Sequence, residues 1–209
     1  MDIQERLTSF AMMGATWVMW VLIALSVVAL AIAAERAVRL WRSADDLERL
    51  GAELRRLLAD GRFAEARHRM GLSPSYEARI LEAGLARTED GAAAVEERME
   101  GAAQLAKLAM ERRLAFLGTV GNDAPFVGLL GTVIGIVRSF AELNASGGKV
   151  SAGLMAEVGE ALVATAIGIL VALPAIAFFN FFQRVIKARL TRAEALGHEL
   201  LASLKAERS

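Results

Sequence analysis

Residues 155–183 read MAEVGEALVATAIGILVALPAIAFFNFFQ, and their reading decides the fold. The stretch is long enough to cross a bilayer, since about 20 apolar residues span the hydrocarbon core. Two carboxylates, Glu157 and Glu160, open it; Thr165 lies further in, and Pro174 interrupts the second half. Ala164, Gly168 and Ala172 follow Glu160 at four-residue steps, and Thr165 follows Ala161 in the same way. Such a stripe of small side chains lets neighbouring membrane helices bring their backbones close. An acid beside it reads either as a functional group or as a marker of the membrane–water boundary, and these residues alone leave both readings open.

Around this stretch the chain of 209 residues is 55% hydrophobic and 23% charged, with a mean hydropathy of +0.41. The apolar residues gather in long blocks with the charges between them, the pattern of an integral membrane protein with a soluble part. The formal net charge is zero, which gives no case for a nucleic-acid partner. The chain has no cysteine, which excludes disulfides and thiolate metal sites. His68 and His198 stand far apart without clustered carboxylates and read as solvated helix-surface residues, so no metal site is expected. No Ser-His-Asp or Cys-His arrangement and no P-loop pattern is present, and an enzyme is not expected.

The first apolar run covers residues 15–34. Its non-basic start and the Glu35-Arg36 pair that follows argue for a retained span over a cleaved signal peptide. Trp17, Trp20 and Trp41 stand near its ends as interfacial anchors. From Glu35 to about Arg113, charges interleave with apolar residues at helical spacing, as in Leu47, Leu50, Leu54, Leu57 and Leu58. Asp46 with Arg49 and Glu53 with Arg56 read as solvated pairs. Short helices are predicted over residues 60–70 and 76–87, and a long one from about Ala92 to Met110. The second block, residues 114–140, carries Gly128, Gly131 and Gly135 as flat packing surfaces. Pro125 predicts a kink or irregular turn there, as Pro174 does in the third span. Thr132 lies deep in this block, and Asp123 is placed near the cytoplasmic end of the span.

Lys and Arg cluster on three of the five flanks of the spans, while the other two carry only Arg6 on one and Arg138 with Lys149 on the other. Arg36, Arg39 and Arg42 follow the first span, Arg112 and Arg113 precede the second, and Arg184, Lys187, Arg189 and Arg192 follow the third. The positive-inside rule then gives a periplasmic N-terminus (residues 1–13) and a first transmembrane helix (14–34). A cytoplasmic helical domain (35–113), a second span (114–140) and a periplasmic link (141–154) follow. The third span (155–183) and a cytoplasmic C-terminal helix (184–209) complete the chain. The second and third spans are expected to extend into the cytoplasm as continuous long helices. The fold class is an all-α integral membrane protein. No acid falls at the middle of a span on this reading, so a mid-membrane titrating group must come from another polypeptide.

GNDAPFVGLLGTVIGIVRSF (residues 121–140), followed by GEALVATAIGILVALPAIAFFNFF (159–182), closely resembles the paired signature of the MotA/TolQ/ExbB proton-channel family, in its ExbB/TolQ-like branch. The likeness is strong over residues 118–183 and architectural elsewhere. The resemblance implies a homopentamer in the bacterial inner membrane whose second and third helices line a pore. A dimer of a single-span ExbD/TolR-like protein would sit in that pore, and its aspartate would carry the proton. It implies no cofactor, only protons as the coupling ion, and work on a TonB/TolA-like or motility partner. By the same resemblance Thr132 and Thr165 line the pore and Glu160 stands at the entrance to the third span. Asp123 departs from the family pattern, where a small or amide residue is expected. Without the resemblance, both threonines read as hydroxyls bonded back to their own helices. The competing reading is a passive membrane scaffold that docks partners, and Glu160 with Thr165 argues against it; for an intramembrane enzyme the spans lack a paired nucleophile and base or a metal-ligand set.

Overall fold

The computed structural model describes residues 14–207, so the expected periplasmic segment 1–13 lies outside the described residues. Its elements are helical throughout: α1 (Thr16–Arg42), α2 (Leu47–Ala59), α3 (Phe63–Gly71), α4 (Tyr76–Leu85), α5 (Ala92–Glu111), α6 (Leu114–Ala145) and α7 (Ala152–Glu207), with one 3-10 turn at Thr88–Asp90. Among the described residues three helices, α1, α6 and α7, are long and apolar enough to cross a membrane. Each outruns its apolar run. Leu, Ala, Glu, Arg and Lys are all good helix formers, so nothing stops α1 at Ala34 or α7 at Gln183. Pro125 lies inside α6 and Pro174 inside α7.

One expectation is corrected. The second span does not continue from the preceding helix, because the chain turns at Arg112 (φ −50°, ψ 127°) and Arg113, which is left-handed at φ 65°. A left-handed non-glycine residue costs on the order of 1 kcal/mol or more and persists only where its surroundings over-determine it.

The chain divides into two compact units. The first takes residues up to Ala34 with Arg113–Asn180, and the second takes Glu35–Arg112 with residues from Phe181 onward. In the first unit, α6 and α7 run antiparallel through a glycine seam. Gly135 lies against Ala161, Gly131 against Ala164, Gly128 against Ala164, Thr165 and Gly168, Gly121 against Ile176, and Gly118 against Phe179. A methyl group on Gly128 would stand 2.8 Å from the Ala164 carbonyl oxygen, so no larger residue fits at this separation. Val18 of α1 reaches Gly131; Leu22, Ala29 and Ala33 are buried along the same helix, and Ala15 just before it. Trp20, Phe126, Phe140, Leu162 and Leu170 remain exposed, as suits a surface that meets lipid or other helices rather than water.

In the second unit, Leu50, Leu54, Met70, Leu81, Val95 and Met110 are buried, as are Ile186, Leu200 and Leu204 of α7, and Gly51 lies against Leu196 and Gly197 against Met99. Serine and aspartate caps fix the helix starts. Ser75 Oγ accepts from the Ala78 amide (3.1 Å) and Asp46 Oδ1 from the Arg49 amide (3.1 Å). Asp46 therefore caps α2, and the Arg49 side chain pairs with Glu53 instead (3.3 Å). His68 and His198 are exposed.

Candidate functional site

The α6–α7 seam holds a small polar site in apolar surroundings. Thr132 and Thr165, 33 residues apart in sequence, bring their hydroxyls to 2.5 Å. Both also point at one acceptor, the Gly128 carbonyl, which lies 3.3 Å from Thr132 Oγ1 and 3.1 Å from Thr165 Oγ1. The missing side chain of Gly128 makes this possible, since it lets Thr165 of α7 reach the backbone of α6. Two hydroxyl protons serve three contacts: one hydroxyl donates to Gly128 O and the other to its fellow threonine. Lone pairs are left over on both oxygens, and both side chains are half-buried. The pair can therefore accept a hydrogen bond from a water or a protonated carboxyl without carrying charge. Thr132 does bond back to its own helix, while Thr165 bonds across to the other one.

Glu160 lies five residues before Thr165, half-buried near the start of α7, and accepts a hydrogen bond from Thr16 Oγ1 at 2.7 Å. One turn earlier Glu157 pairs with Arg138 at 2.6 Å, both partly buried. Thr16, Glu157 and Arg138 thus join Glu160 at this end of the unit. Of the small residues singled out in the sequence, Gly128, Gly131, Gly135, Ala164 and Gly168 stand in the seam, and Ala172 is buried nearby.

Asp123 is not where sequence spacing puts it. It is ten residues past Arg113 and fifteen before Arg138, about 15 and 22 Å along the axis at 1.5 Å per residue. The seam register, Gly121 against Ile176 and Gly128 against Gly168, sets it level with the middle of the apolar run between Glu160 and Arg184. The expectation that no acid lies mid-run is therefore corrected. Asp123 does not join the threonines, however. It precedes Thr132 by about two and a half turns, which turns it to the opposite face of α6, and it is exposed.

The profile of the MotA/TolQ/ExbB proton channel family matches residues 73–195, a stretch that takes in the whole seam and both threonines. The chain belongs to this family. Biopolymer transport protein ExbB of Xanthomonas campestris pv. campestris is 42% identical over 91 residues, 44% of this chain and 36% of that one. Putative biopolymer transport protein ExbB-like 2 of Helicobacter pylori is 38% identical over 92 residues, 44% of this chain and 61% of its own. ExbB of Aquifex aeolicus is 37% identical over 107 residues, 51% of this chain and 72% of its own. The match thus spans little more than a third of the Xanthomonas relative's length. Membership of the MotA/TolQ/ExbB family extends the likeness beyond the signature helices into the second unit, because residues 73–112 and 181–195 belong there.

Proposed function

We propose that the chain is the pore-forming subunit of an ExbB-like, proton-driven complex in a bacterial inner membrane. Five copies would form a ring, and an ExbD/TolR-like dimer with one span per chain would occupy its centre. Proton flow would then do mechanical work on the cell envelope through a TonB/TolA-like or motility partner. The observation that carries this reading is the threonine pair over Gly128, a hydroxyl site with spare acceptor capacity inside an otherwise apolar helix pair. Because Asp123 faces away from that site, an acid meeting the threonines has to arrive on another polypeptide. Glu160 would supply the polar entrance, tied to α1 through Thr16.

A passive scaffold would use the glycine seam as well, but it has no need of the paired hydroxyls. Proton flux in vesicles under an imposed pH gradient separates the two. Thr165→Val keeps shape and removes the hydroxyl, and should lower flux at least tenfold with assembly intact. Thr165→Ser should retain most of it. Glu160→Gln should be more damaging than Asp123→Asn. Full flux in Thr165→Val together with loss in Thr165→Ser contradicts the hydroxyl pathway.

A further inference from the structure

We propose that Glu77 is a proton-binding site whose protonation sets the grip of Arg189 on the end of α1. Glu77 stands in the first turn of α4, a position where an acid ordinarily faces water and favours the helix dipole. Here it is 1% exposed, and neither carboxylate oxygen has a hydrogen-bond partner. Buried acids without donors are rare, because ionisation there is uncompensated. Three charged groups act on it: Arg189 and Arg192 from α7, and Asp45 from the α1–α2 link. The nearest is Arg189, whose Nε is 4.0 Å from Glu77 Oε1, beyond hydrogen-bond reach.

The rest of that guanidinium is already committed. Nη2 donates to the Leu40 carbonyl at 2.7 Å, and Nη1 donates to the Ser43 carbonyl (3.2 Å) and Ser43 Oγ (2.9 Å). Leu40 O belongs to the last turn of α1, where carbonyls lack helical partners and a cation is favoured. One fork therefore has two claimants. With Glu77 neutral, Arg189 spends its charge on the end of α1. With Glu77 ionised, the carboxylate draws Nε across a gap of about 1 Å to a charge-assisted bond, and the fork turns off Leu40 and Ser43. Burial pushes the Glu77 carboxyl above the ordinary range; its own amide, Arg189 and Arg192 pull it back in part, and Asp45 pushes it up again. The switch lies entirely among residues of the second unit, and it stands whether or not the threonine pathway does.

Infrared titration of the assembled full chain in nanodiscs tests the site without any transport measurement. A buried carboxylic-acid band should titrate above the usual carboxylate range, vanish in Glu77→Gln and persist in Glu160→Gln. Hydrogen–deuterium exchange over residues 40–46, corrected for intrinsic pH dependence, reads the grip. Protection should be lost in the wild type as pH rises through that titration and should stay constant in Glu77→Gln. If Glu77→Gln does not assemble, Arg189→Lys decides: it should keep the acid band and abolish the pH dependence of protection. A band that survives Glu77→Gln, no such band in the wild type, or wild-type pH dependence in Arg189→Lys overturns the proposal.

Discussion

Asp45 and Glu77 share one corner of the second unit and respond to it in opposite directions. The Ser73 hydroxyl donates to Asp45 Oδ2 at 2.5 Å and holds that carboxyl below the ordinary carboxylate range, against a smaller push from burial. Its contribution to stability is therefore present above about pH 4 and is lost as pH falls through the lowered value. Asp45→Asn should lower Tm at pH 7 by about 2 °C or less, since the group is largely solvated, and the difference should close by about pH 3. Glu77, raised by burial, has the reverse sign. Its stabilising share is present at acid pH and lost as pH rises through the raised value. Glu77→Gln should thus gain Tm over the wild type at pH 8 and match it at pH 4; thermal scans in one detergent at each pH check both variants. Neither group was legible in the sequence. Glu77 reads as one more helix-surface acid until Arg189, 112 residues further on, is seen beside it. Thr16 as the partner of Glu160, 144 residues away, escapes for the same reason.

The helices themselves were far more legible, because period and composition are local. Apolar runs and charge blocks marked α1 to α7, and the glycines marked which face of α6 approaches α7. What they could not mark is the turn at Arg112–Arg113, where no glycine or proline announces a break, or the depth of Asp123. That depth follows from the register of two helices, and register is a tertiary fact. The seam makes a sharp demand on Gly128. Its Cβ would meet backbone at 2.8 and 3.0 Å, so Gly128→Leu must separate the helices. A loss of about 3 kcal/mol or more is expected, read as a large fall in Tm and in assembled complex. Gly159→Ala on α7 meets nothing within 4 Å and should be neutral or slightly stabilising, by up to about 1 kcal/mol. Equal tolerance of the two substitutions would contradict the seam as the determinant of this pair.

At the scale of the whole molecule, three apolar helices and a helical charged unit make a chain that belongs to the MotA/TolQ/ExbB family. The proposed function asks something that one chain does not contain. Its threonine pair has spare acceptor capacity and Asp123 faces away, so on the proposed function the proton carrier at the threonine level would be supplied by a second protein. The exposed Phe126, Leu129, Leu162 and Leu170 side chains leave ample apolar surface for lipid, further copies and such a partner. The central claim is therefore tested most directly by proton flux through the purified assembly in vesicles, measured alone and with a single-span partner that carries a membrane aspartate. Flux near background for the assembly alone, restored by the partner and lost again when the partner's aspartate is made asparagine, is the result predicted. Full flux from the isolated assembly, or restoration by the asparagine partner, would contradict it.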